Sequence, residues 1–143
     1  MNLSKDMKIT PALAYTSGTA SRNGDVLDMS GFESVLAIVH LAAVHNSAVC
    51  SVKMQQGDLA NGGDMADIEG SSVAVAGTDD DKIKYIELVK PTKRYVRLVF
   101  VNDASNATAQ SAVYIQGGPR TKPVTHDSNV EGEMHVSPDE GTA

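Results

Sequence analysis

The residues of this chain that could do covalent or metal chemistry are few and poorly grouped. Cys50 is the single thiol, and the four histidines are His40, His45, His126 and His135. With an aspartate, Cys50 and His40 could form the nucleophile and base of a thiol hydrolase. Cys50, however, alternates with Val52 and Met54 in segment 48–56, which places all three on the apolar face of a strand. A free cysteine on such a face behaves as a small buried hydrophobe. His40 lies within an apolar strand and reads as packed or interfacial. No HxH or HExxH spacing occurs, and one thiol cannot close an internal disulfide.

Carboxylates gather at Asp58, Asp64, Asp67 and Glu69, and again at Asp79, Asp80 and Asp81. Calcium uses such oxygens, but the spacing departs from the twelve-residue calcium loop, and adjacent aspartates in a turn are commonly just solvated. Phosphate loops of the G-x-x-x-x-G-K-[ST] and G-x-G-x-x-G types are missing, as is a G-x-S-x-G elbow. These patterns predict a chain that is not an enzyme, with no cofactor and no metal. One basic cluster remains, Lys90, Lys93, Arg94 and Arg97 around a turn and strand. It reads either as a solvated face with interstrand ion pairs or as a docking patch for an acidic protein surface.

The wider composition agrees with a binding or structural role. Twelve Lys and Arg against 18 Asp and Glu leave 143 residues with a net charge of −6. That argues against a surface built to neutralise nucleic-acid phosphates. Aromatics make up only 4 % with no Trp, which disfavours a stacking platform for bases or sugars. The first residues lack the apolar run of a secretory signal, and no segment approaches the roughly 20 apolar residues of a membrane span. The expectation is a soluble product that stays where it is made.

The elements that would position these side chains are strands. Segment 34–44 is apolar on both alternating faces and rich in Val and Ile, which predicts a strand covered on both sides. Segments 48–56, 72–76, 82–89, 94–101 and 111–116 follow as further strands, with the likeliest hairpins at 34–56 and 82–101. Residues 57–70 read as a long exposed loop with one helical turn near 64–68, and 102–110 as a polar loop. Regular turn signals between short strands predict an all-β fold, a sandwich or a barrel, and the antiparallel β-sandwich is the fold expected here. The organisation expected is an N-terminal arm (1–10), a β-sandwich domain (11–118) and an extended C-terminal arm (119–143). The last carries three prolines and a net charge of −3 from two basic and five acidic side chains. Such a segment cannot bury enough apolar surface to offset its ordering entropy and needs a partner.

Several stretches resemble small structural proteins of tailed bacteriophages. They are 24–33 (GDVLDMSGFE), 54–58 (MQQGD), 90–97 (KPTKRYVR), 117–126 (GGPRTKPVTH) and 135–143 (HVSPDEGTA). The chain is most similar to head-decoration (capsid cement) proteins. That resemblance implies a jelly-roll-like sandwich on the outer capsid surface of the virion, made in the host bacterial cytoplasm. It further implies binding to the phage major capsid protein, with bridging of neighbouring subunits, and self-association as a homodimer or homotrimer. Nucleic acid and membrane are not expected partners. Under it, Lys93, Arg94 and Arg97 would meet carboxylates on the capsid. Tyr95, with Val99 and Val101, would form an oligomer interface. Lys122, Pro123, Val124 and His126 of the arm would contact capsid or a sister subunit. The alternatives are another virion part, such as a tail-tube or head–tail joining subunit, and a small carbohydrate- or host-surface-binding β-sandwich.

Overall fold

The computed structural model describes residues 2–137 and 139–142. A single helical turn, α1 (Leu3–Asp6), precedes ten strands: β1 (Lys8–Gly18), β2 (Arg22–Asn23), β3 (Leu27–Asp28), β4 (Ser34–Val44), β5 (Val49–Gly57), β6 (Ala66–Asp67), β7 (Val73–Ala76), β8 (Ile83–Val89), β9 (Tyr95–Val101) and β10 (Thr108–Gly117). One antiparallel sheet has the order β1-β10-β4-β8. The other runs β2-β9-β5-β6, with β3 also on β9 and β7 also on β5. Taking β2 and β3 as one interrupted strand and setting aside the short β6 leaves eight strands. In chain order these read 1-8-3-6 in one sheet and 2-7-4-5 in the other, the jelly-roll arrangement.

This topology overturns both expected hairpins. β4 and β5 lie in different sheets, and so do β8 and β9. The short links at 45–48 and 90–94 carry the chain from one layer to the other, across the roughly 10 Å that separates packed sheets. Alternation explains the error. A strand that buries every second residue can meet its sequence neighbour across the core as readily as beside it. Val35, Ala37, Val39 and Leu41 of β4 thus face inward and are fully buried. Cys50, Val52 and Met54 of β5 fill the opposite wall with Val96, Leu98 and Phe100 of β9. Each such aliphatic or aromatic side chain contributes about 1.5–3 kcal/mol by leaving water.

Three local readings also change. Residues 8–10, assigned to the N-terminal arm, belong to β1, because Lys8, Ile9 and Thr10 pair with Gln116, Ile115 and Tyr114. The helical turn expected near 64–68 is replaced by β6, in which Ala66 and Asp67 pair with Gln56 and Gln55. Asp64 instead accepts hydrogen bonds from the Asp58 and Leu59 amides at 2.8 and 3.0 Å, which lower its pKa. Thr108 to Gln110, read as loop, open β10 and are buried. The Gln110 carboxamide there can donate to the Thr16 and Thr108 carbonyls, satisfying a polar group that patterning alone assigns to solvent.

Candidate interaction surface

The two sheets have outer faces of opposite character. On the β5–β9 sheet, Lys53 pairs with Asp67 at 2.7 Å, Gln55 donates to the same carboxylate at 2.7 Å, and Arg97 Nε donates to Gln55 Oε1 at 2.8 Å. Lys53 first, then Gln55, hold the Asp67 carboxyl below its usual range. This is a solvated polar ladder. Val99, in register with Asn23 of β2, is 6 % exposed. Tyr95 and Val101 are only half-buried. The expected oligomer face at Tyr95, Val99 and Val101 is therefore broken up by Arg97 and its partners.

The β1-β10-β4-β8 sheet presents the reverse. Its register aligns Ile9, Ile115, Leu36 and Glu87 in one row across four strands. The next row holds Pro11, Val113, Ile38 and Tyr85, and a third sets Ser111, His40 and Ile83 side by side. Ile83, Tyr85 and Val89 are each exposed by 60 % or more. Leu36, Ile38 and Ile115 are half-buried by their neighbours on the same face. Segment 34–44 is apolar on both faces, as read from the sequence, yet the chain covers only one of them. At about 4.8 Å between strands and about 3.4 Å per residue, the face measures on the order of 400 Å². Glu87, His40 and Ser111 interrupt it, and the remaining outward side chains of these rows are apolar, an exposed feature that is often functional.

The β8 margin of this sheet is closed to further strands, and the C-terminal arm lies along the start of the β1 margin. On β8, Lys84 points inward and pairs with Asp79 at 2.9 Å, while Lys82 meets the other oxygen of Asp79 at 2.9 Å. These lysines and the Ala76 amide hold the Asp79 carboxyl far below its usual range. An inward charge on an edge strand blocks sheet extension. At β1 the C-terminal arm lies alongside. Lys122 pairs with Asp6 at 3.1 Å, Val124 N–H donates to Lys5 O at 2.9 Å, and Asp127 pairs with Lys8 at 3.1 Å. The His126 ring bonds Ser4 O through Nε2 at 2.9 Å and accepts the Ile9 amide on Nδ1 at 3.4 Å. Residues 126–134 then form a shallow hollow with Ser4 and Ile9, setting Val130 and Met134 next to the apolar face.

The arm residues expected to matter are thus brought to one place, the rim of the apolar sheet. Pro123 lies among them, lining a cleft with Phe32 and Val124. Three of the four basic residues, Lys93, Arg94 and Arg97, are engaged within the chain. Arg94 holds Asp28 through two bonds of 3.0 and 2.8 Å and stacks over Tyr95 at 5.2 Å, and Lys93 pairs with Asp58 at 2.6 Å. These partners raise both basic pKa values and lower that of Asp28. Sequence reading missed the outward set Leu36, Ile38, Ile83, Tyr85, Val113 and Ile115. Its signal was present in the two-sided apolar strands 34–44 and 82–89.

No family model and no curated protein matches the chain. Among solved structures it overlays the crystal structure of PBSX exported protein XepA with a TM-score of 0.54 at 16 % identity, over 96 % of this chain and 45 % of that one. The match establishes a shared fold. This chain spans less than half the length of that protein. A subunit of the disulfide-linked pili of Bacillus endospore appendages overlays at a TM-score of 0.45 and 11 % identity, over 80 % of this chain and 91 % of the other. That overlap is too loose to define a common fold.

Proposed function

We propose that the chain is a non-enzymatic structural protein of a tailed-phage virion. It binds the outer capsid surface through the apolar face of the β1-β10-β4-β8 sheet and bridges neighbouring major capsid subunits. The observation that carries this reading is the in-register apolar array from Ile9 to Tyr85, left uncovered beside an arm pinned along the same margin. The sequence resemblance to capsid cement proteins points the same way, and the jelly-roll strand order agrees with the fold that resemblance implies.

The size of the face favours a repeated lattice over a free dimer. On the order of 400 Å² is about half of what one partner contributes to a stable standard interface. A lattice compensates by presenting many such contacts at high effective concentration. A preformed sheet loses little conformational freedom on docking, which lowers the entropic cost of each contact.

The test is to add the purified full chain to expanded, undecorated capsids of the phage that encodes it. Co-sedimentation and regular surface density in a reconstruction are expected. Ile38→Lys with Val113→Lys should abolish both while circular dichroism and the melting curve stay those of a folded β protein. Capsids that bind no wild-type protein at saturation, or bind the double variant equally well, overturn the proposal.

A further inference from the structure

We propose that the cleft between Gly31, Lys90 and Arg120 receives the acidic C-terminal tail of a second copy of this chain. This linkage does not depend on the capsid reading. The cleft, about 460 Å³, lies at one end of the sandwich with Met29, Phe32 and Pro91 also in its walls. Its two cationic sides are set by backbone bonds. Lys90 N–H donates to Glu33 O at 2.7 Å, and Arg120 N–H donates to Gly31 O at 2.9 Å.

Lys93 and Arg94 line the same cleft but are already engaged by Asp58 and Asp28. Lys90 and Arg120 form no ion pair among the described residues. Glu33 also lines the cleft and offsets part of the charge, so an incoming anion must sit on the Lys90 and Arg120 sides. The acidic stretch of this same chain has the complementary chemistry. After Lys122 the sequence holds no Lys or Arg, and it carries Asp127, Glu131, Glu133, Asp139 and Glu140.

The tail is also divided in a way that suits delivery to a neighbour. Its first part is committed to its own N-terminal segment through Lys122, Val124, His126 and Asp127. Further on, Val136 is 89 % exposed, an apolar side chain just ahead of Asp139 and Glu140. Val136 against Phe32 and Pro91, with Asp139 and Glu140 toward Lys90 and Arg120, would satisfy both parts. Exposed ion pairs are individually weak, so the apolar contact supplies the remainder. The contact is head-to-tail, and such contacts run on from copy to copy until they close.

A zero-length carbodiimide, which joins a carboxylate to a lysine amine, tests this on the full chain. Unlabelled and nitrogen-15 protein are mixed in equal amounts at low ionic strength, cross-linked and digested. Links from Lys90 to Asp139 or Glu140 should appear as mixed-isotope pairs, and Arg120→Glu should lower their yield about tenfold. A Lys53→Glu control should leave the yield unchanged, and 0.5 M salt, at a Debye length of about 4 Å, should suppress the links. Links found only within one isotope, no links from Lys90 to the tail, or equal yields with Arg120→Glu overturn the proposal.

Discussion

The Tyr114 hydroxyl, reaching from one sheet into the other, accepts the Leu98 N–H at 2.8 Å and donates to Asp25 O at 2.9 Å. It fills the gap where β2 ends and β3 has not begun, and so satisfies an amide that strand pairing leaves over. Burial pushes the Tyr114 phenol well above its usual range. Tyr114→Phe should therefore cost about 1–3 kcal/mol, the cost of a buried donor left unpaired, measured by urea unfolding. Gly24→Ala should disturb the same joint, since a Cβ there would sit 2.8 Å from the Tyr114 hydroxyl and 2.9 Å from Leu98 O.

Asp79 should show the clearest pH signature in stability. Its carboxyl accepts from Lys82, the Ala76 amide and Lys84, and its pKa falls on folding. A lowered folded pKa means that the contribution is complete above the unfolded value near ~3.9 and drains away as pH drops below it. Asp79→Asn should destabilise the protein by about 1–3 kcal/mol at pH 7. The gap between variant and wild type should shrink when unfolding is repeated at pH 3. An undiminished gap at pH 3 would refute the ionic account.

Substitutions on the apolar outer sheet should separate docking from folding. Ile83→Lys and Tyr85→Lys change side chains that are 61 % and 64 % exposed. Stability should stay within about 0.5 kcal/mol, as for most surface positions. Binding of a hydrophobic dye to the native protein, and co-sedimentation with capsids, should both fall.

The arm should be separable from the sandwich. Among the described residues, 119–137 and 139–142 contain no strand or helix. Deleting 119–143 should leave the β-sheet spectrum intact and weaken capsid binding. Hydrogen exchange should report the loss locally, with faster exchange at the Ile9 amide, which His126 Nδ1 accepts in the full chain. An unchanged Ile9 rate would show that the arm does not rest there.

Cys50 should be unreactive in the native state. Its side chain is 6 % exposed and its sulfur lies 3.7 Å from the Thr108 hydroxyl. Thiol labelling should proceed only at the rate of unfolding. Immediate labelling would revive Cys50 as a nucleophile.

The positions of β4, β5, β7, β8 and β9 and their core faces were legible from alternation, as 48–56 illustrates, whereas β1, β2, β3, β6 and the start of β10 were not. Cys50, Val52 and Met54 turn inward while Lys53 and Gln55 turn to solvent. The pairing of those strands was not legible. Alternation gives which side of a strand is apolar but not whether the next strand lies beside it or opposite, so 34–56 and 82–101 read as hairpins. The interaction surface was half visible for a related reason. Two-sided apolarity in 34–44 announced two coverings, and the sequence could not say that this chain supplies only one.

The basic cluster marks the same boundary from the other side. Lys93, Arg94 and Arg97 stand close in sequence and suggested one patch. Their partners Asp58, Asp28 and Gln55 come from elsewhere in the chain. What the sequence by itself determined is local: β propensity, the alternating faces and an acidic, proline-bearing tail. The tertiary structure decided which apolar face stays open and, among the described residues, which cations form no ion pair. Both depend on contacts between residues distant along the chain, and no local spacing encodes those.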